Sequence, residues 1–255
     1  MIEFQLDKKL RMEYNESTGM WDYYKNEKLL SKEAEKLFKF YSLNINNIDA
    51  LLNNYFHLSN PNSFNDPFDC NINLTSNIED KQMSKFKTVK RNSISNIGIS
   101  SFSEAIDSHL MWAHYTNNYM GFAIEFNGND VIVKATEDRF EKITLTEVLY
   151  PQKIKKIKKE FPFALHYVLS TKMKHWEYEK EWRIICQLKN GDDRILYYYP
   201  QKVRGIYIGH RLIDEDKSAY RLLLEICAIR FQSVPIFVVY PHPKELELVF
   251  EKITN

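Results

Sequence analysis

At 255 residues, with 44% hydrophobic and 27% charged positions, the chain is long enough for a sizeable core and has an ordinary globular composition. Its net charge of +1 supplies no global argument for nucleic acid or membrane, and its seven glycines form neither a dinucleotide fingerprint nor a P-loop. Cys70, Cys186 and Cys227 are odd in number and unpaired by spacing, and no apolar run suits a signal peptide or a membrane span, so a soluble cytoplasmic protein with reduced thiols is expected.

Residues 1–34 read as an N-terminal extension with a short strand or hairpin, and 35–255 as one α+β domain. Leu37–Tyr41 reads as a strand. Residues 46–56 have helical spacing (Ile48, Leu51, Leu52, Tyr55), with Asn46 or Asn47 as the cap. The run from Leu58 to Asp69 is turn chemistry that holds Asp66 and Asp69. Ile97–Ser103 reads as a strand and 104–118 as a helix. Gly121–Phe126 is a further strand, ending in the hairpin signal Asn127-Gly128. A Lys-rich helix is predicted over 153–174. Arg194–Tyr199, Val203–Gly209 and Pro235–Tyr240 read as strands, with a helix at Ala219–Arg230. Short strands with few intervening helices predict a mainly antiparallel or split, twisted sheet with flanking helices.

Three segments could carry chemistry. In Glu181–Leu188, Glu181, Arg183, Ile185 and Gln187 alternate with an apolar face. An extended chain would therefore point Glu179 and Glu181 the same way. Two carboxylates so close cannot both ionise freely in a dry site, which drives one towards proton handling. The plainer reading is a solvated cluster paired with Lys180 or Arg183. In the second segment, Ser101 and Ser103 share a strand face, either lining a ligand site or facing solvent. The third is the helix carrying Met111, His114 and Tyr115 on one side; these could stack a planar heterocycle or simply pack. Trp112 reads as core. The pairs His109/His114 and His166/His175 lack supporting ligands, so no zinc site is predicted. Asp66, Asp69 and Asn65 could hold Mg²⁺, although turn capping is the simpler role. Lys153, Lys155, Lys156, Lys158 and Lys159 read as a solvated face, with phosphate contact the minority reading.

Taken in order, Phe38-Lys-Phe-Tyr, Phe64-Asn-Asp-Pro-Phe-Asp, Ser101-Phe-Ser-Glu, Met111-Trp-Ala-His-Tyr with Gly121, Trp176-x-Tyr-Glu-Lys-Glu-Trp-Arg and Ile206-Tyr-Ile-Gly resemble the bacterial family numbered 2971 among domains of unknown function, over about residues 35–210. That family implies no activity. A looser resemblance is to the ADP-ribosyltransferase superfamily, whose Arg-Ser-Glu class places a basic residue, a Ser-x-Ser strand and a Glu-x-Glu in this order. Here the order falls on Lys39, Ser101-Phe-Ser103 and Glu179-Lys-Glu181, with Lys in place of Arg. The resemblance implies an NAD-consuming enzyme, a transferase or NAD glycohydrolase, that serves as a toxin or phage-defence effector. In that reading NAD is the substrate, no metal is needed and no membrane is involved. The acceptor would be a protein or nucleic acid. Glu181 and Glu179 would be catalytic, while Lys39, Tyr41, Ser101, Ser103, His114 and Tyr115 would bind NAD. The alternatives are a metal-dependent nuclease using Asp66, Asp69 and Glu181, with the Lys153–Lys159 run on phosphate, and a non-catalytic nucleotide-binding module.

Overall fold

The computed structural model describes residues 3–5, 8, 10–15, 20–29, 34–71, 94–132, 139–154, 164–189 and 193–253. The fold is α+β, as expected. Four short N-terminal strands, β1 (Glu3–Gln5), β2 (Leu10–Asn15), β3 (Met20–Lys25) and β4 (Lys28–Leu29), form an antiparallel sheet of their own. It docks through Leu10 and Met12, which are buried with Leu149, Tyr167 and Val168. The Tyr23 hydroxyl meets Nε2 of the half-buried His166 across this junction.

The main sheet has eight strands. In chain order they are β5 (Lys36–Ser42), β7 (Ile97–Ser103), β8 (Gly121–Asn127), β9 (Phe140–Glu147), β10 (Glu181–Leu188), β12 (Val203–Gly209), β13 (Ile236–Pro241) and β14 (Leu248–Lys252). Their spatial order is β14-β13-β12-β8-β5-β7-β10-β9. Only β12 and β13 run parallel, joined by the helices α4 (His210–Glu215) and α5 (Lys217–Arg230). Among the described residues the other helices are α1 (Ile45–Asn53), α2 (His109–Tyr115) and α3 (Ala164–Leu169). β6 (Tyr55–His57) and β11 (Ile195–Tyr197) form a two-stranded ribbon. One sheet face carries Leu37, Tyr41, Phe102, Trp182 and Ile184 into the main core, where α1, α5 and the ribbon cover it. The other packs Phe38 with Trp112 of α2, and Ile99 and Ile185 with Leu169 of α3.

The sheet is open at one place. β5 and β7 share a single register pair, Phe38↔Ser103, after which the two strands part. By contrast, β10 pairs along the whole of β7, from Glu181↔Ser103 to Gln187↔Ile97. The split leaves room for a cleft inside the sheet.

Several boundaries differ from the sequence expectation. The cap of α1 is Asn44, whose side chain accepts from Asn47 N at 3.0 Å, so Asn46 and Asn47 lie inside the first turn. The 104–118 helix shrinks to α2. Ser108 caps it, and Asn117, Asn118 and Tyr119 follow it with positive φ, which a helix cannot continue through. Asn127-Gly128 opens a 3₁₀ turn instead of a hairpin, and β8 pairs with β5 and β12. A Cβ at Gly128 would lie 1.9 Å from the Ala34 carbonyl oxygen, so the glycine serves close backbone approach. Of the helix expected over 153–174, the described part is α3 alone; 155–163 lie outside the described residues, and a 3₁₀ turn occupies Lys174–Glu179.

Candidate active site

The cleft at the split has a volume of about 220 Å³. Its walls are aromatic and apolar: Phe38 and Phe40 from β5, Phe64 from the Asn-Asp-Pro-Phe-Asp loop, and Met111 and Tyr115 one turn apart on α2. Into it project Lys39, Ser101, Lys172, Glu179, Glu181 and Arg183. A larger and more open depression of about 570 Å³ lies beside Phe38, Tyr207, Phe237 and Phe250, away from this charge cluster.

The register of β10 on β7 places Glu181 opposite Ser103 and Arg183 opposite Ser101, so these four side chains leave the same sheet face. Arg183 is the hub. Its Nε donates to Glu181 Oε1 at 2.8 Å and its Nη2 to Glu181 Oε2 at 3.1 Å. Nη1 and Nη2 clasp Asp69 at 2.9 and 2.6 Å, and Nη1 also donates to the Leu169 carbonyl at 2.8 Å. The guanidinium thus spends its donors on two carboxylates and one carbonyl, which is how a fully buried charge is made tolerable.

Glu179 does not sit in an extended strand. It ends the 3₁₀ turn, and Lys180 after it adopts the left-handed conformation with φ 41°. The two glutamates are brought together by Lys172, whose Nζ donates to Glu179 Oε2 at 2.5 Å and Glu181 Oε2 at 3.2 Å and lies 3.8 Å from Asp69. The Tyr115 hydroxyl donates to Glu179 Oε1 at 2.5 Å.

This asymmetry separates the two acids. Burial, reinforced by the charge of Glu181, pushes the Glu179 carboxyl up to about 7. Burial also works against an ionised Glu181, but Arg183 and Lys172 outweigh it, with a hydrogen bond from Ser101, and hold that carboxyl down to about 2. Near neutral pH, Glu181 is a fixed anion and Glu179 is poised to hold or release a proton.

Lys39 and Tyr41 leave β5 on the face opposite Ser101. Tyr41 therefore lies in the core, stacked on Phe122 at 5.0 Å, and not in the cleft. Lys39 enters the cleft because the strands part: its Nζ reaches through the gap and donates to the Ser101 carbonyl at 2.8 Å. Ser103 faces the right way but is occupied, donating to the Glu179 carbonyl at 2.5 Å and accepting from Ala105 N at 2.9 Å. His114 is exposed on the outer side of α2, edge-on to Tyr178 at 6.4 Å. The cleft thus gathers Lys39, Ser101, Tyr115, Glu179 and Glu181, and it leaves Tyr41, Ser103 and His114 outside. Trp112 is core, as expected, with its indole N–H on the Ile106 carbonyl.

Sequence reasoning did not place Lys172 in the site; it set Asp69 beside Glu181 only as a metal ligand, and Arg183 beside the glutamates only in a solvated cluster. Arg183 was visible in the strand alternation, which already set it on the face of Glu181. Lys172 lies in an irregular stretch whose direction no periodicity gives. Asp69 depends on the fold of its loop. There Asp66 is the organiser, its Oδ1 accepting from Phe68 N at 2.8 Å, and its carbonyl accepting from Asp69 N at 3.1 Å.

The fold and the site together define an α+β protein whose split sheet holds a buried acid pair against Lys172 and Arg183. Residues 111–184, from α2 into β10, match the model of the family described as "Protein of unknown function (DUF2971)", the family the sequence motifs resemble. No curated protein and no solved structure gives a significant match. Among the described residues, no helix is long and apolar enough to cross a membrane.

Proposed function

We propose that this protein is an ADP-ribosyltransferase-like enzyme that breaks the nicotinamide–ribose bond of NAD. The observation that carries this reading is the shared direction of Ser101 and Glu181: both open onto one cleft, joined there by Glu179 and a cation from β5. Cleaving an N-glycosidic bond builds positive charge on the ribose ring. Glu181, kept ionised and immobile by Arg183 and Lys172, is suited to holding ribose hydroxyls and stabilising that charge. Ser101 positions the same sugar. Glu179, titrating close to neutral, orients or deprotonates the acceptor. The walls of Phe40, Phe64 and Tyr115 offer stacking for nicotinamide, and Lys39 offers charge for a phosphate. A toxin or phage-defence role in the cytoplasm, with a protein or nucleic acid as acceptor, fits such chemistry.

The metal-dependent nuclease reading draws on Asp66, Asp69 and Glu181. It is less well supported, because Asp69 and Glu181 already share Arg183 and Asp66 caps its own loop. The test is incubation of the purified protein with NAD, following NAD loss and nicotinamide release with and without EDTA. Nicotinamide release insensitive to EDTA, and lost in Glu181→Gln, is expected. Retention of all NAD, or a Glu181→Gln variant as fast as the parent, would remove the assignment.

A further inference from the structure

Two lysines line the cleft, and their surroundings differ sharply. Lys172 touches three carboxylates, and these hold its charge in place against burial. Lys39 touches none: among the described residues no carboxylate lies within ion-pair distance of its Nζ. Its polar contact is the Ser101 carbonyl at 2.8 Å, and the rings of Phe102 and Tyr41 stand 5.4 and 5.9 Å away. Of the titratable groups around it, Glu181 on β10 favours its ammonium form, and His57 on β6 has its own proton affinity lowered by burial and by Lys39; Lys172, Glu179 and Arg183 line the same cleft. A half-buried ammonium with no carboxylate at ion-pair distance loses hydration that nothing close by replaces in full, so it gives up its proton more readily than an exposed one, and a lysine so placed is a nucleophile.

We propose that Lys39 is a reactive amine on which the cleft captures a small aldehyde as an imine. This goes beyond the NAD reading, with which it shares Lys39 and Glu179, and it is tested apart from NAD turnover, by covalent labelling. The amine lone pair adds to the carbonyl carbon, giving a carbinolamine. In that addition one N–H proton passes to the oxygen; the remaining one leaves the nitrogen as the hydroxyl, protonated, departs as water, and the C=N bond closes. Glu179, on the same cleft, can give one proton to the departing hydroxyl and recover one from the nitrogen. No oxidant or reductant is consumed. The space of about 220 Å³ admits a few-carbon, hydroxylated aldehyde, and Ser101 supplies a hydroxyl for it. Burial lowers the Lys39 amine to about 8, against the pull of Glu181. At pH 7.5 its free-amine fraction is then roughly a hundredfold that of an ordinary lysine. Weaker nucleophilicity and narrower access offset part of this gain, leaving an advantage of about tenfold.

The experiment traps the imine in the intact protein. Glyceraldehyde and cyanoborohydride are added at pH 7.5, and the reduced adduct is mapped by peptide mass over time. Lys39 should be labelled about tenfold faster than the exposed Lys189 and Lys244, and the advantage should vanish in urea. Lys39→Arg should lose the fast adduct while labelling elsewhere stays unchanged. A Lys39 rate equal to or below those of Lys189 and Lys244 overturns the proposal. The wild-type map decides this even if the variant fails to fold.

Discussion

Asp69 and Arg183, 114 positions apart, meet in a two-point ion pair, with Nη1–Oδ1 at 2.9 Å and Nη2–Oδ2 at 2.6 Å. Both side chains are almost wholly buried, at 4% and 1% exposure, so the pair lies beyond solvent screening. It ties the Asn-Asp-Pro-Phe-Asp loop to the strand that carries Glu181, and it aims the guanidinium that holds Glu181 ionised. Removing one partner of such a pair strands a charge out of water.

Asp69→Asn should therefore cost about 3–5 kcal/mol of stability, the scale of breaking a buried pair. Chemical denaturation at pH 7.5 reads this directly. The damage should extend to the site, since Arg183 would lose its brace and Glu181 its fixed position. On the proposed function, NAD turnover should fall more than NAD affinity. A variant within about 0.5 kcal/mol of the parent, the scale of a change at an exposed site, would show that the pair is not structural.

Asp66 has a different task. Its Oδ1 closes a turn onto Phe68 N at 2.8 Å, while its Oδ2 is buried with no hydrogen-bond partner among the described residues. Asp66→Ala should lose the turn bond and, with it, the unsatisfied oxygen, for a net cost of about 1 kcal/mol. Activity should persist at reduced temperature and be indifferent to added Mg²⁺. Activity lost at unchanged stability, and partly restored by Mg²⁺, would instead point to a metal ligand.

What could be read from the sequence follows from the range of the forces involved. The faces of β7 and β10 were legible because a period of two fixes which side chains leave together, and this put Ser101 and Glu181 on one side once the strands paired antiparallel. Tyr41 could not be placed, because neither the register that sets Phe38 opposite Ser103, and so turns Tyr41 to the core, nor the parting of β5 from β7 after that pair is written in a period of two. The same parting admits Lys39, whose strand position alone would send it to the opposite face. Glu179 reaches Glu181 through a left-handed Lys180 and the ammonium of Lys172, neither of which leaves a periodic trace. The charges around the glutamates looked like a solvated cluster because charge counts do not reveal burial. Here the ion pairs and the cleft are the same object.

Gly121 starts β8 where it crosses Ser42 of β5. A Cβ there would stand 2.1 Å from the Tyr41 carbonyl oxygen and 3.1 Å from the Thr116 Cβ. The nearest atom is backbone, so no side-chain rotation relieves the contact. Gly121→Ala should cost about 1–3 kcal/mol, as overpacking does, and should shift the β5 edge that bears Lys39. Thermal denaturation with a lowered midpoint is the expected readout; an unchanged midpoint would mean that β5 and β8 separate freely.

Glu179 gives the site a pH signature. Its folded-state carboxyl is raised to about 7, so the folded protein binds that proton more tightly than the unfolded chain does. The resulting stability is complete below the unfolded value near 4.3 and is lost as pH rises through about 7. Glu147, also raised to about 7 by burial and by Glu104, acts in the same direction, whereas His166, lowered to about 4 by burial and by Lys142, acts in the opposite one. The total curve is thus a sum of opposed terms, and only the difference between the parent and Glu179→Gln isolates the acid. Urea denaturation from pH 5 to 8 should show the variant gaining on the parent by about 1–3 kcal/mol as pH rises, because its amide has no proton to lose. The gain should be complete by about pH 8. The cause is local: an ionised Glu179 would be buried, and beside a Glu181 that is already charged. If the difference between the two proteins stays flat across that range, Glu179 ionises as an ordinary carboxylate and has no proton to exchange at neutral pH. Its roles towards an acceptor hydroxyl and towards the water leaving Lys39 would then both fall.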